Sequence, residues 1–170
     1  MTNVDRQWYV ALTRSCQEKK AAEALEAMGE EFWLPLKKVR RKWSDRMKTV
    51  QVPVLPRMVF VRATDLRRRE LTALVYGICG WMFDVAAKAP AVIRDKDLEE
   101  FRNFIDEVDV PVTLVAGQYA AGDRVEVIRG PLAGHIYELV SVDGKRCVAV
   151  HLGNSATALF DFPLADLKKI

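Results

Sequence analysis

Apolar runs and charged stretches alternate along the chain, and the spacing inside each predicts its element. "WYVAL", Trp8 to Leu12, is an aromatic and β-branched run that predicts a first strand. "SCQEKKAAEALEAMG" sets Ala21, Leu25 and Met28 at i, i+4 and i+7 among charged neighbours, with Gly29 as a C-terminal cap, which predicts an amphipathic helix. "EFWLPL" predicts a second strand, and "VQVPVLPRMVFV" returns as extended chain whose prolines limit where it pairs. The polar stretch between them makes a long hairpin with an overhanging tip. "TDLRRRELTALVYG" predicts a second helix, with Thr64 or Asp65 as N-cap and Leu71, Leu74 and Val75 facing inward. "ICGWMFDV" predicts another strand. "DKDLEEFRNFIDEV" predicts a third helix, capped by Asp95, with Leu98, Phe101, Ile105 and Val108 on one face.

Beyond Val110 the texture changes. "VPVTLVAGQYAA" has no strong period and predicts a linker. The rest alternates (Val125, Val127; Leu139, Val140, Val142; Val148, Val150, Leu152), with turn signals at "RGPLAG", "VDGK" and "LGNS". Short strands at that spacing predict a small β-barrel of about five strands. The expected class is therefore α+β: an antiparallel sheet with packed helices over residues 1–110, a flexible linker over 111–118, and a β-barrel over 119–170.

Composition narrows the function classes. Of 170 residues, 50% are hydrophobic and 29% charged, an ordinary globular mix. The longest apolar runs, such as "ALVYGICGWMF", fall short of the ~20 residues a membrane span needs. "MTNVDRQWYV" lacks the layout of a signal peptide, so the expected location is the cytoplasm. Cys16, Cys79 and Cys147 are far apart without CxxC spacing, which fits reduced thiols and neither a disulfide nor a metal site. His135 and His151 lack nearby acidic clusters, and Cys16 has no base placed beside it in sequence. No GxGxxG, P-loop or GxSxG occurs. Neither an enzyme, a cofactor nor a metal is expected.

Charge sharpens the picture once it is divided along the chain. The net +3 arises entirely before residue 111, where 20 basic residues face 17 acidic ones; residues 111–170 hold 6 of each. Lys37, Lys38, Arg40, Arg41, Lys42, Arg46 and Lys48 cluster in the hairpin against a single acid, Asp45, and Trp43 sits among them. Arginine and lysine neutralise phosphates, and an indole stacks on an unpaired base. Lys38, Arg40, Arg41, Lys42, Trp43, Arg46 and Lys48 are therefore candidate nucleic-acid contacts; the competing reading is a solvated hairpin tip.

Two resemblances follow from quoted residues. "GDRVEV" and "GPLAG", with Gly122, Asp123, Val125, Val127, Gly130, Pro131 and Gly134, resemble a KOW motif, although a later glycine of that motif is Tyr137 here. "WYVAL", "QEKKAAEAL" and "VPVLPRMVFVR" resemble, in order, the opening strand, first helix and Pro-Gly-Tyr-aliphatic-Phe-Val element of the NusG N-terminal domain, with Arg57 and Met58 in place of Gly and Tyr. "RRKWSDRMKTVQVPVLPRMVFVR" is most similar to the specialised UpxY-type paralogues of capsular-polysaccharide operons. The resemblance implies a NusG N-terminal domain, then an SH3-like KOW barrel. It implies a transcription antitermination or elongation factor that catalyses nothing and suppresses pausing or termination. Trp8, Tyr9, Leu55, Pro56, Met58 and Phe60 would dock RNA polymerase, with Leu55 as the presented residue. Arg67, Arg68 and Arg69 are either a gate-loop contact or solvated helix surface. The basic hairpin would meet non-template DNA, upstream duplex or nascent RNA, and the KOW domain would recruit a ribosomal protein or Rho. No membrane is involved, and a monomer is expected. The alternatives are a housekeeping NusG acting at all genes and a ribosome-associated RNA-binding KOW protein. Alternation over residues 124–152 favours strands over any refolding of that segment into helices.

Overall fold

The computed structural model describes residues 5–117 and 122–170, and the chain divides into two compact units, Met1–Met82 and Phe83–Ile170. The first unit contains β1 (Gln7–Thr13), α1 (Glu18–Ala27), β2 (Glu31–Trp33), β3 (Leu36–Trp43), β4 (Arg46–Pro53), β5 (Met58–Ala63), α2 (Asp65–Leu74) and β6 (Ile78–Trp81). Four of these strands form a sheet in the order β2-β5-β1-β6. Antiparallel pairing sets Tyr9 against Val61, Val10 against Phe60 and Ala11 against Val59. Because side chains alternate across a strand, Ala11, Val59, Val61 and Ala63 share one face. They pack there with Ala21 and Leu25 of α1 and Leu71 of α2. Trp8, Val10 and Phe60 point to the opposite face and are also buried, with Trp33 tilted on Phe60 at 5.0 Å between ring centroids. Leu25 and Leu71 are fully enclosed, so truncating either to Ala costs about 2–5 kcal/mol.

Two inward positions expected from periodicity turn out exposed. Met28 is the residue that caps α1, its N–H donating to the Ala24 carbonyl, and it lies beyond the last buried turn. Leu74 is 55% exposed, because the chain leaves α2 at Val75 in an extended conformation and Val75 takes the core position. Thr64 does cap α2: its Oγ1 accepts from the Arg67 N–H at 3.1 Å.

The second unit contains β7 (Phe83–Asp84), β8 (Ala89–Pro90), β9 (Val92–Ile93), α3 (Asp95–Glu107), β10 (Val112–Ala116), β11 (Asp123–Val127), β12 (Ile136–Val142), β13 (Lys145–Leu152), β14 (Ala156–Phe160) and β15 (Leu167–Lys169). Six strands make a sheet in the order β10-β14-β13-β12-β11-β15. Asp143 and Gly144, both at positive φ (49° and 79°), make the tight turn between β12 and β13 that "VDGK" predicts. Residues 112–116, inside the segment expected to be a linker, instead form β10 and pair with Ala156–Phe160 along their whole length. Val112 and Leu114 are buried there, a half-buried alternation that a flexible linker would not keep. Residue 118 of that segment, and residues 119–121 at the start of the expected barrel, lie outside the described residues.

The cap of helix α3 falls one residue earlier than expected. Arg94 holds the cap position in extended conformation, and Asp95 falls in the first turn, where its charge complements the helix dipole. The buried face runs through Leu98, Phe101 and Phe104; Ile105 and Val108 are half-buried. Phe104 takes the place expected for Ile105 because its ring meets Phe160 at 4.3 Å and the edge of Tyr137 at 5.5 Å. The helix thus shares a unit with the C-terminal strands.

Candidate nucleic-acid interface

Among the described residues, strands β3 and β4 pair only with each other, from Leu36↔Pro53 to Trp43↔Arg46. Eight residues on each side give an arm about 23 Å long at the usual strand rise. Ser44 and Asp45 close it, with Ser44 at φ 50°, the positive angle that lets a two-residue loop follow the strand twist.

Directly opposed residues of a hairpin lie on the same face, so the register sorts the side chains. One face carries Val39 and Val50, half-buried, and then Arg41 opposite Lys48 and Trp43 opposite Arg46 toward the tip. The other carries Lys38, Arg40 and Lys42 opposite Gln51, Thr49 and Met47. Trp43 is 54% exposed, and the Lys48 ammonium sits 4.7 Å above its ring centroid. All seven bases from Lys37 to Lys48 are exposed. Among the described residues, none of them forms an ion pair. The register divides the hairpin residues that the sequence singled out between the two faces, and sets Gln51, Thr49 and Met47 opposite Lys38, Arg40 and Lys42.

The arginines of α2 lie in a different setting. The Arg67 Nε donates to Glu30 at 2.6 Å and its Nη1 to Glu70 at 3.0 Å. Arg68 and Arg69 both donate to Asp65, at 2.7 and 2.6 Å. Those hydrogen bonds, Arg68 first and then Arg69, hold the Asp65 carboxyl below its ordinary 3.8. The Arg68 side chain is 11% exposed, and its guanidinium lies 5.4 Å from the Tyr9 ring and 5.7 Å from Trp81. Burial, and then the Asp65 charge, pushes the Tyr9 hydroxyl above 10. Of the three, only Arg69 keeps most of its side chain in solvent.

The apolar residues expected to dock a partner are mostly enclosed. Trp8, Tyr9 and Phe60 are buried, and Leu55 is only 1% exposed. That corrects the expectation that Leu55 is presented at the surface. Met58 is half-buried and Pro56 exposed.

The protein comparisons decide the family. The family described as transcription termination factor nusG matches residues 6–102, more than half of the chain. The chain belongs to the NusG family. Similar solved structures include one titled for domain interaction in Thermotoga maritima NusG, 20% identical, covering 97% of both chains at a TM-score of 0.48. Conformations A and B of the MjSpt4:Spt5 complex are 19% and 20% identical, each over 96% of this chain and 97% and 96% of theirs, with TM-scores of 0.31 and 0.32. No curated protein matches.

Within this NusG-family chain, Arg57 stands at φ 65°, at the place where the resemblance calls for glycine. Its carbonyl accepts from the Thr13 N–H at 2.9 Å, and its Nε donates to the Thr13 carbonyl at 3.2 Å. The side chain thus offsets part of a left-handed strain that costs roughly 1–2 kcal/mol. The missing family glycine in the sequence was the available signal.

In the C-terminal motif a Cβ at Gly122 would overlap the Leu139 carbonyl oxygen, so only glycine fits. Val125 and Val127 are buried, Asp123 pairs with Lys169 at 3.5 Å, and Gly130–Pro131 opens the loop. Gly134, at φ 92°, closes it by donating its N–H to the Val127 carbonyl at 2.7 Å. Tyr137 stacks beside His135 and edges onto Phe104, and burial, then the Glu107 charge, raises its hydroxyl above 10. The His135 Nδ1 lies 3.0 Å from the Leu132 carbonyl, an acceptor, so this nitrogen carries the proton.

Among the described residues no helix is long and apolar enough to cross a membrane.

Proposed function

We propose that this NusG-family chain is a transcription elongation and antitermination factor. Its N-terminal part binds RNA polymerase and suppresses pausing or termination. The C-terminal strands act as a KOW barrel that recruits a second protein, a ribosomal protein or Rho. The hairpin segment favours the specialised, UpxY-type mode at polysaccharide operons over action at every gene. The single observation that carries this reading is the family match across residues 6–102, which encloses the uncompensated basic hairpin. In this role the protein positions macromolecules and transforms none. Met58 and Pro56 are the accessible members of the docking set, while Trp8, Tyr9, Leu55 and Phe60 are buried.

The test is co-purification with RNA polymerase alongside readthrough of a terminator in a transcription assay. Leu55→Asp cannot separate docking from unfolding, since a buried charge destabilises by itself. The substitution Pro56→Asp, at an exposed position, is expected to weaken polymerase binding and readthrough while keeping the melting temperature. Wild-type chain that fails to associate with polymerase at low salt overturns the reading. Mapping of bound genomic sites separates specialised from housekeeping action, with occupancy at few operons expected.

A further inference from the structure

The hairpin keeps a feature that its own fold does not need. Arg41 and Lys48 stand directly opposite each other on one face, with Arg46 on the same face at the next pair. Like charges directly opposite each other destabilise a strand pair. No carboxylate relieves them among the described residues. Trp43 completes this face, and Lys48 occupies one side of its ring. The other three central cations, Lys38, Arg40 and Lys42, repeat along the opposite face at every second residue.

We propose that the face bearing Arg41, Trp43, Arg46 and Lys48 is a single-strand reader, which stacks one unpaired base on the free side of the Trp43 ring and holds the flanking phosphates with the three cations. This rests on the reading of the hairpin as a nucleic-acid contact and names the class of ligand: single-stranded nucleic acid, not duplex. A duplex keeps its bases stacked on one another and offers the indole nothing to receive, whereas an extended strand presents a ring face at each nucleotide. The Lys48 ammonium already over the indole limits stacking to one base, since both sides of the ring cannot be used at once. The Lys38–Arg40–Lys42 face has no aromatic side chain and serves phosphate alone, so it adds affinity without discriminating single strand from duplex. Bound phosphate also removes the Arg41–Lys48 repulsion, so binding stiffens the arm.

The experiment measures anisotropy of the full chain with fluorescein-labelled oligonucleotides of mixed sequence, in three arms: single-stranded DNA, single-stranded RNA and duplex DNA, each over a salt series. Wild type is expected to prefer both single strands to duplex by about tenfold, with quenching of tryptophan emission on binding. Trp43→Ala is expected to erase that preference and leave the salt slope unchanged, and Trp43→Phe to restore most of it. Arg41→Gln with Arg46→Gln and Lys48→Gln is expected to lower the single-strand salt slope by about 2. A difference between the DNA and RNA arms identifies the source of the strand. Equal affinity for duplex and single strand, unchanged by Trp43→Ala, overturns the single-strand reader while leaving nucleic-acid contact by the hairpin intact. Binding to none of the three arms overturns both. Circular dichroism melts of each variant check that the exposed substitutions leave the fold in place.

Discussion

Two clusters of basic residues, written almost alike in the sequence, end in opposite circumstances. "LRRREL" in α2 is answered by Glu30, Glu70 and Asp65, and Arg68 settles between Tyr9 and Trp81. "KKVRRKW" in the hairpin is answered by no carboxylate among the described residues. A count of positive charges cannot tell these apart. What separates them is whether the fold supplies carboxylates within reach, and that depends on which strand or loop lies opposite. Charge that the fold neutralises is structure, and charge that it leaves standing on an exposed face is free for a ligand.

The sharpest way to break this contrast is to exchange the effects of substitution. Neutralising Arg41, Arg46 and Lys48 to Gln should reduce affinity for single-stranded nucleic acid about 100-fold at low salt while leaving urea unfolding unchanged or slightly more favourable to the folded state. Arg68→Ala should do the reverse, costing about 2 kcal/mol in urea unfolding through its lost ion pair and ring contacts, with oligonucleotide affinity unaltered. If Arg68→Ala weakened binding and left stability alone, the division between the clusters would fail.

Arg57 gives a third, smaller comparison, an exposed arginine held by backbone. Arg57→Gly exchanges strain relief for a lost hydrogen bond and a more flexible unfolded chain, so it should fall within about 0.5 kcal/mol of wild type. Arg57→Ala keeps the positive φ and loses the bond, and should lie about 1 kcal/mol lower. Equal melting midpoints for the two variants would show that the strain at this φ is no larger than the entropy that glycine adds to the unfolded chain.

The smallest effect is electrostatic. The Asp65 carboxyl is held below its ordinary value by Arg68 and Arg69, so its stabilising contribution is complete above the usual carboxylate range and fades as pH falls through the lowered value, below about 4. Asp65→Asn should therefore flatten the acid limb of a stability–pH curve by a few tenths of a kcal/mol for an exposed pair. An unchanged limb would mean that the arginines hold no net preference for the charged form.

Periodicity made the central elements legible. Ala21 and Leu25 sit on α1 as their spacing requires, Thr64 caps α2, and "VDGK" makes its turn. The hairpin was legible as an arm, but its partition into a Trp43 face and a Lys38–Arg40–Lys42 face depends on register, which a one-residue slip would reverse. The surface position of Leu55 came from the resemblance alone, because Val54 and Leu55 between Pro53 and Pro56 are too short a run to carry a period that says which way each points. The Phe104 position was missed for a related reason. The helix offers both Phe104 and Ile105, and only the rings of Phe160 and Tyr137 choose between them. The strand over residues 112–116 escaped notice because its partner, Ala156–Phe160, lies far along the chain.

The most direct test of the central claim is photocrosslinking from position 43 of the full chain, carrying a photoreactive aromatic in place of Trp43, to a transcribing polymerase complex with an exposed unpaired strand. The account predicts a crosslink to that strand, lost when the strand is annealed to its complement. A crosslink that persists undiminished on the duplex, or one that reaches protein alone, would contradict it.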